Sequence, residues 1–320
     1  MQDNSLIDPR IVRNKRRISY ADRLFSGFTG LFSVFTGAIL LALLIVLSIQ
    51  AWPSIKEFGV SFLTSSVWDP VKEIFGAWPA VFGTLVSSLL ALVLAVPISL
   101  GTAIFLSELA PKWMRGPGSF IIEMLAAIPS VIIGLWGIFV MVPFLRPIEE
   151  WLGLHLGFVP LFQGNTFGGF NILAASLLLT IMIIPIITAV SRDAIKAVPV
   201  SQKEAMLALG ATRWETLSRV VLPFCRSGLI GAVILGLGRA LGETMAVTMV
   251  IGNADRTSTS LFSSGTTIAS KIASQFGESS GLSLSSLMEL ALILLGVTLL
   301  VNVVARLLVW RLTAIKAGRV

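Results

Sequence analysis

Residues 170–190, FNILAASLLLTIMIIPIITAV, form a run without a charged side chain. An α-helix needs about 20 apolar residues to cross the hydrocarbon core of a bilayer. A helix also pairs its own backbone N–H and C=O groups there, which a single extended segment cannot do. This run therefore predicts a membrane-spanning helix.

The remaining sequence repeats this pattern. The chain has 320 residues, of which 55% are hydrophobic and 13% charged, and its mean hydropathy is +0.89. Such a composition excludes an ordinary soluble domain. We expect an all-α polytopic membrane protein with six transmembrane helices. The predicted spans are Phe28–Ile49, Val81–Leu106, Phe120–Leu145, Phe170–Val190, Leu229–Ile251 and Leu284–Trp310.

The basic residues predict how the chain is oriented. Lys and Arg concentrate before the first span, after the last, and between the fourth and fifth. Cytoplasmic loops carry this excess, so both termini are expected in the cytoplasm. The first span is too long for a signal-peptide core and is expected to be retained. The expected domains are a basic cytoplasmic segment 1–27, a membrane domain 28–310 with a cytoplasmic loop 197–226, and a cytoplasmic tail 311–320.

The sequence offers little for metal or nucleotide chemistry. It has one cysteine, Cys225, and one histidine, His155, so no His/Cys cluster for zinc or haem is expected. The pattern G-x-x-x-x-G-K-[ST] is absent, so no P-loop is predicted. We expect no cofactor bound by this chain.

The loop between the fourth and fifth spans predicts two short helices. It reads AVPVSQKEAMLALGATRWETLSRVVLP over residues 197–223. Ser201 with Glu204, and Thr212 with Glu215, have the spacing of capping boxes. Gly210 between them suits a positive φ that ends the first helix. Pro223 is expected to limit the second helix.

Both loop helices are predicted to be amphipathic. Ala205, Ala208 and Leu209 share a face of the first helix, and Trp214, Leu217 and Val221 share a face of the second. One interpretation is a hairpin that packs beneath its own helix bundle. The other is a hairpin that docks into a partner, for which the small Ala205 and Ala208 side chains allow close approach.

The spacing of this loop resembles the EAA loop of bacterial ABC-importer permeases, E-A-A-x-x-x-G followed after nine residues by I-x-L-P. Glu204, Ala205, Gly210, Leu222 and Pro223 match, whereas Met206 and Val220 depart from the pattern. The resemblance implies a coupling helix that lies in a groove of a separate ATPase subunit, which binds ATP and Mg²⁺. The residues expected to serve that coupling are Ser201, Glu204, Ala205, Ala208, Gly210, Trp214, Leu222 and Pro223.

The fifth predicted span contains a charged motif, LGLGRALGETMAVT over residues 235–248. Arg239 and Glu243 are four residues apart and are predicted to pair on one helix face. Ionisable residues within a membrane usually face a bundle interior or an aqueous cavity, which favours a functional site. A purely structural ion pair is the alternative. Gly238 and Gly242 have the small-x-x-x-small spacing of close helix packing.

This motif, with blocks such as Ala51-Trp52-Pro53-Ser54-Ile55 and Glu108-Leu109-Ala110-Pro111, resembles the permease subunits of bacterial phosphate ABC transporters, the PstC family. The resemblance implies a type I importer permease fold, in the bacterial cytoplasmic (inner) membrane. It also implies a substrate pathway that includes Arg239, Glu243 and Thr244, and it implies that the chain is a permease and not an enzyme. The implied partners are a PstA-like second permease, a PstB-like ATPase dimer and an extracytoplasmic PstS-like phosphate-binding protein.

Three other functions make different demands on the sequence. A permease for molybdate, sulfate or phosphonate would share the loop but is expected to differ in the fifth-span motif. A passive anion channel would also use Arg239 but would need no ATPase. An intramembrane hydrolase is disfavoured because no Gly-x-Ser-x-Gly occurs and the single histidine lies outside the predicted spans.

Overall fold

The computed structural model describes the backbone of residues 9–163 and 168–317, and the side chains of Tyr20, 22–163 and 168–307. Residues 1–8 and 318–320 of the predicted terminal segments lie outside the described residues. The chain divides at Gln50 into two compact units, residues 1–50 and 51–320.

The described residues form thirteen α-helices, joined by short π and 3-10 turns. In chain order they are α1 Pro9–Phe58, α2 Ser61–Thr64, α3 Trp78–Ile104, α4 Lys112–Ala126, α5 Ser130–Trp136, α6 Val142–Leu156, α7 Ile172–Lys196, α8 Val200–Ala208, α9 Arg213–Thr216, α10 Leu222–Leu241, α11 Met245–Val250, α12 Ile268–Gln275 and α13 Gly281–Ala317.

Six helical segments in the described part are long and apolar enough to cross a membrane. Their ranges are Asp22–Phe58, Trp78–Leu109, Ser130–Leu156, Ile172–Lys196, Arg213–Leu241 and Gly281–Leu307. The all-α fold class with six spans is therefore confirmed. The predicted boundary at residue 27 falls inside α1, whose backbone is already helical from Pro9.

Two predicted spans have different bounds in the structure. The third was expected over Phe120–Leu145, but α4 ends at Ala126 and the membrane-length helix begins at Ser130. Pro129 adopts an extended conformation between them, with φ −58° and ψ 137°. A proline disfavours helical backbone in the residue before it, which explains the break. An apolar run reports hydropathy and not backbone conformation, so it does not predict this break.

The fifth predicted span, Leu229–Ile251, is also interrupted. Helix α10 ends at Leu241 and α11 begins at Met245, so residues 242–244 form a break inside the predicted run. Toward its start, α10 is continued by α9 through a π turn, Leu217–Val221. The charged motif therefore lies at a junction of two helices.

Helix α7 is the central element of the second unit. It packs against α3 on one side and α10 on another, and its Leu178, Ile183 and Ile187 are fully buried. Polar contacts join α7 to α3: Ser99 Oγ donates to the Ile184 carbonyl, and Thr188 Oγ1 donates to the Ser99 carbonyl. These bonds fix α7 against α3. Helix α10, which ends at the break, packs against α7.

Loop 252–267 is held firmly at the far end of α11. The Gly265 N–H donates to the Ile251 carbonyl at 3.0 Å, and the Ala254 N–H donates to the Gly265 carbonyl at 3.0 Å. The Ile268 N–H, at the start of α12, donates to Thr84 Oγ1 of α3 at 2.9 Å. The chain runs from α8 through α10 and α11 to this loop, so the loop and α8 lie at opposite ends of the fifth span.

Candidate transport site and coupling hairpin

Arg239 and Glu243 meet across the break between α10 and α11. The Arg239 Nη2 atom lies 3.2 Å from Glu243 Oε2, which confirms the predicted pair. Gly242 follows the last residue of α10, and Thr244 precedes α11 with φ −108° and ψ −69°. The guanidinium thus sits at the negative end of α10, where a cation is favoured.

The two partners differ in exposure. The Arg239 side chain is 44% exposed, whereas the Glu243 side chain is 3% exposed. Glu243 also accepts a hydrogen bond from the Ala246 N–H through Oε1, at 3.3 Å. The carboxylate is therefore fixed by two contacts, and the guanidinium keeps part of its donor surface open for a ligand.

The exposed part of Arg239 faces a groove of about 1170 Å³ between α7, α10 and α13. Most of its lining is apolar, so a few polar groups stand out: Ser227 on α10, and Asn302 and Arg306 on α13. None of these three residues carries a local sequence signal for the site. Their placement depends on how α13 crosses α10, which no local pattern encodes.

Gly238 and Gly242 do not serve helix packing within the described chain. A Cβ atom added to Gly238 would meet nothing within 4 Å, and one on Gly242 would approach only the Gly238 carbonyl. Gly238 instead lines the groove. Helix α10 approaches α7 closely at Gly236, where a Cβ would lie 2.6 Å from Ile187 Cδ1, and at Gly228, where it would lie 2.6 Å from Ala194 Cβ. Close packing of α10 against α7 therefore falls to Gly228 and Gly236, and packing of Gly238 and Gly242 against another chain stays a prediction.

The hairpin of residues 200–216, formed by α8 and α9, turns where the sequence predicts. Gly210 has φ +84°, which a residue with a Cβ rarely adopts. Thr212 and Glu215 form the predicted capping box: Thr212 Oγ1 accepts from the Glu215 N–H, and Glu215 Oε2 accepts from the Thr212 N–H. The other predicted capping box is absent, because α8 begins at Val200 and Ser201 already lies inside its first turn.

The exposed surface of this hairpin is partly apolar. Glu204, Ala205 and Ala208 are exposed, and Leu209 is 85% exposed. These side chains are free to meet a partner, since they do not pack beneath the bundle. The hairpin is thus available for docking along its first helix.

The predicted common face of Trp214, Leu217 and Val221 is wrong. Trp214 is 70% exposed, whereas Leu217 and Val221 are buried. Residues three apart on an α-helix point about 60° apart around its axis. Trp214 therefore lies toward the exposed side, whereas Leu217 and Val221 lie on the buried side. Pro223 does not end the helix either, because it occupies the first turn of α10, where a missing N–H is tolerated. Leu222, beside it, is half-buried.

One ion pair connects the hairpin to the second span. Lys203 Nζ on α8 lies 2.5 Å from Glu108 Oε1, in the π turn that follows α3. The side chains are 18% and 24% exposed, so the pair is largely shielded from water. No sequence pattern predicts this pair, because its two partners are 95 positions apart.

Among the described residues, no group of three or more His, Cys, Asp or Glu side chains is placed to hold a metal ion. The acidic groups near the spans have other partners. Glu123 accepts from Arg192 Nη2 at 3.0 Å, and Glu289 accepts from Ser54 Oγ at 2.6 Å. The Arg239–Glu243 site therefore offers the hydrogen-bond donors of Arg239 and one carboxylate, that of Glu243.

Six membrane-length helices, with a helical hairpin exposed between the fourth and fifth, define the transmembrane subunit of a binding-protein-dependent importer. A family model described as "Binding-protein-dependent transport system inner membrane component" matches residues 95–314, and the chain belongs to this family. The family is one of permease subunits. The chain is accordingly a multi-pass membrane protein that works as part of a transporter complex.

Curated relatives are similar over nearly the whole chain, and each is named "Phosphate transport system permease protein PstC". The protein from Pasteurella multocida is 50% identical, over 92% of this chain and 93% of its own length. That from Haemophilus influenzae is 48% identical, over 93% and 96%. That from Mesorhizobium japonicum is 43% identical, over 93% of each chain.

Solved structures share the fold. A bacterial ABC transporter involved in the import of the acidic polysaccharide alginate has a chain that matches with a TM-score of 0.56 and 16% identity, covering 95% of this chain and 99% of that one. An inward-facing MetNI methionine ABC transporter matches with a TM-score of 0.52 and 19% identity, covering 77% and 99%. These similarities concern the fold alone.

Proposed function

We propose that this chain is the transmembrane pore subunit of an ATP-driven importer of inorganic phosphate. The observation that carries the proposal is Arg239, which is half-exposed in the groove and fixed by the buried Glu243. The names of the curated relatives point to the same cargo.

The chemistry of the pair suits passage of a tetrahedral oxyanion. A guanidinium offers a planar set of donors that matches two oxygens of such an anion. Glu243 competes for the same guanidinium, so a bound anion is held less tightly and leaves again. Thr244, next to the pair, adds a hydroxyl to the proposed pathway, and its Oγ1 lies 3.4 Å from the Gly242 carbonyl oxygen.

ATP binding and hydrolysis are assigned to a partner. We propose that hairpin 200–216 docks into a PstB-like ATPase dimer that holds ATP and Mg²⁺. The residues assigned to this coupling are Ser201, Glu204, Ala205, Ala208, Gly210, Trp214, Leu222 and Pro223. The Lys203–Glu108 pair would then carry motion of the hairpin to α3.

The rest of the proposed assembly follows from the family. A PstA-like permease completes the pore, and a PstS-like protein delivers phosphate from outside. Both termini, with segments 1–27 and 311–320, are placed in the cytoplasm, and residues 28–310 form the membrane domain. Loop 252–267 then faces the exterior of a bacterial cytoplasmic (inner) membrane.

Reconstitution of the whole complex in liposomes tests the cargo. Labelled phosphate should accumulate only with ATP and the binding protein. Unlabelled arsenate should reduce this accumulation more than unlabelled sulfate or molybdate does. Accumulation of sulfate or molybdate in preference to phosphate would assign a related oxyanion importer. Phosphate entry that needs no ATP would assign a passive channel.

A substitution tests the site. Arg239→Gln should abolish uptake while the complex still assembles and binds ATP. Arg146→Gln is the matched control, because Arg146 is 59% exposed and already paired with Glu150 at 3.1 Å. Undiminished uptake by the Arg239→Gln complex would remove Arg239 from the pathway.

A further inference from the structure

A second cavity, with a polar lining, lies in loop 252–267, at the opposite end of α11 from the Arg239–Glu243 pair. Its volume is about 500 Å³, far larger than one phosphate ion requires. Arginine and hydroxyl-bearing side chains dominate its lining. The lining residues are Gly252, Ala254, Arg256, Thr257, Ser258, Ser263 and Ser264.

The charge balance of this cavity is positive. Asp255 is the single acidic residue of loop 252–267, and Lys271 Nζ already binds its Oδ2. Lys271 is itself fixed, since it is 3% exposed and lies 4.5 Å from the centroid of the Trp68 ring. Arg256 is exposed, and its guanidinium has no ion-pair or hydrogen-bond partner in the part of the chain that the structure describes. Arg256 therefore contributes one unpaired positive charge to the cavity.

The hydroxyl groups add donors beside Arg256. No hydrogen bond from the Thr257 or Ser263 hydroxyl is formed with any described residue, so both can donate to a ligand. Ser258 Oγ accepts from the Ser260 N–H and keeps its own proton available. Phosphate near neutral pH carries acceptor oxygens and at least one P–OH group. Hydroxyl side chains can donate to the oxygens and accept from the P–OH, and Arg256 matches the negative charge, so this lining suits phosphate.

The cavity is preformed by its backbone. Gly252 has φ +90°, and a Cβ there would lie 2.6 Å from Ser264 Oγ, so only glycine fits the position. Ser264 Oγ donates to the Phe170 carbonyl at 2.8 Å, which fixes that wall to the start of α7. Together with the backbone bonds of Gly265, these contacts hold the donors in place before any ligand arrives.

The cavity also lies close along the chain to the site already described. Helix α11 has six residues and therefore spans about 9 Å at 1.5 Å per residue. Glu243 caps its first turn, and Gly252 follows its end. The cavity and the Arg239–Glu243 pair thus lie at the two ends of one short helix.

We propose that this cavity is an outer oxyanion subsite, in which Arg256 and the hydroxyls of Thr257, Ser258 and Ser263 receive phosphate before it moves to Arg239. The proposal rests on the proposed function, because it names a second station on the same route. The unpaired cation raises the local concentration of the anion and shortens its search for the pore.

Thiol labelling of the complex without its binding protein tests the subsite directly. In a Cys225→Ser background, Thr257→Cys should react with a negatively charged methanethiosulfonate, and inorganic phosphate should slow that reaction about three- to tenfold. Adding Arg256→Gln should remove the protection. Val71→Cys, at a position 93% exposed, is the control for ionic strength and should show no protection. Equal protection with and without Arg256, or none at all, would overturn the proposal.

Transport stoichiometry separates the subsite from receptor docking. With saturating phosphate-loaded binding protein, the Arg256→Gln complex should move about three- to tenfold less phosphate per ATP hydrolysed. The concentration of binding protein that half-maximally stimulates the ATPase should not change. A shift in that concentration with an unchanged stoichiometry would assign Arg256 to docking and overturn the subsite.

The two ideas fail in different ways. A wild-type complex that does not accumulate phosphate would contradict the proposed function. If the wild-type complex does accumulate phosphate, and the Arg256→Gln complex behaves as the Arg146→Gln complex in both assays, the outer subsite alone is contradicted.

Discussion

Arg239 and Glu243 form an ion pair across a helix break, with Nη2 and Oε2 3.2 Å apart although α10 already ends at Leu241. The second oxygen of Glu243 accepts the Ala246 N–H in the first turn of α11. One carboxylate therefore holds the guanidinium and starts the next helix. Under the proposed function, movement of Arg239 toward an anion would be coupled in this way to the position of α11.

Substitutions of Glu243 should separate these two roles. Glu243→Gln keeps an oxygen for the Ala246 N–H but loses the charge that holds Arg239, so uptake should fall about tenfold or more, a barrier increase of about 1.4 kcal/mol. Glu243→Ala also loses the cap, which should cost about 1 kcal/mol of stability in addition. Phosphate uptake and the thermal midpoint of the purified complex measure the two effects. Normal uptake by the Gln variant would show that the carboxylate serves only as a cap.

The Lys203–Glu108 pair predicts a charge-swap result. Lys203→Glu should impair coupling of ATP hydrolysis to uptake, because it places two carboxylates against each other in a shielded position. Lys203→Glu with Glu108→Lys should restore part of the coupling, with an interaction energy of about 0.5–3 kcal/mol in the double-mutant cycle. The readout is phosphate moved per ATP hydrolysed. If the double variant is no better than the worse single variant, the pair does not transmit motion of the hairpin.

The number of spans was predictable from the sequence, whereas their ends were not. Hydropathy reports how apolar a stretch is, so it finds six membrane-length segments. It does not report backbone breaks, and the breaks at Pro129 and Gly242 displaced the third and fifth spans. Pro129 carried a usable signal, since proline restricts the residue before it. Gly242 carried a weaker one, because glycine also occurs within membrane helices.

The candidate site shows the same division between local and distant information. Arg239 and Glu243 are four residues apart, so their pairing follows from helix geometry alone. Lys203 and Glu108 are 95 positions apart, and Arg192 and Glu123 are 69 positions apart. Only the packing of α8 against the π turn after α3, and of α7 against α4, brings each pair together. The exposure of Trp214 also depends on packing, since the hydrophobic pattern of one helix does not show which edge of its apolar face is covered.

Two glycines of α3 predict opposite responses to the same substitution. A Cβ on Gly83 would overlap the carbonyl oxygen of Thr266, which belongs to the firmly held backbone of loop 252–267. Gly83→Ala should therefore destabilise the protein by about 1–3 kcal/mol through overpacking. Gly101→Ala meets nothing within 4 Å and should be neutral or stabilising by up to about 1 kcal/mol. Thermal unfolding of the purified complex compares them, and a Gly83→Ala variant as stable as Gly101→Ala would mean that the loop is not fixed against α3.

Lys271 predicts a pH dependence of stability. Burial lowers the pKa of its amine below the ordinary value of 10.5, although Asp255 partly opposes that shift. Between the lowered folded-state pKa and 10.5, the unfolded chain binds the proton and the folded chain does not, so the free energy of unfolding should rise with pH in that window. Below the window both states bind the proton, and the folded state bears the full cost of burying the charged amine.

Lys271→Met provides the comparison that isolates this group from the other lysines. The difference in stability between wild type and Lys271→Met should move in favour of wild type as the pH rises from 7 toward 10.5. Chemical denaturation of the detergent-solubilised complex at several pH values measures it. A difference that falls with rising pH would mean that Asp255 and the Trp68 ring hold the charge more strongly than burial opposes it. The pKa of Lys271 would then be raised and not lowered.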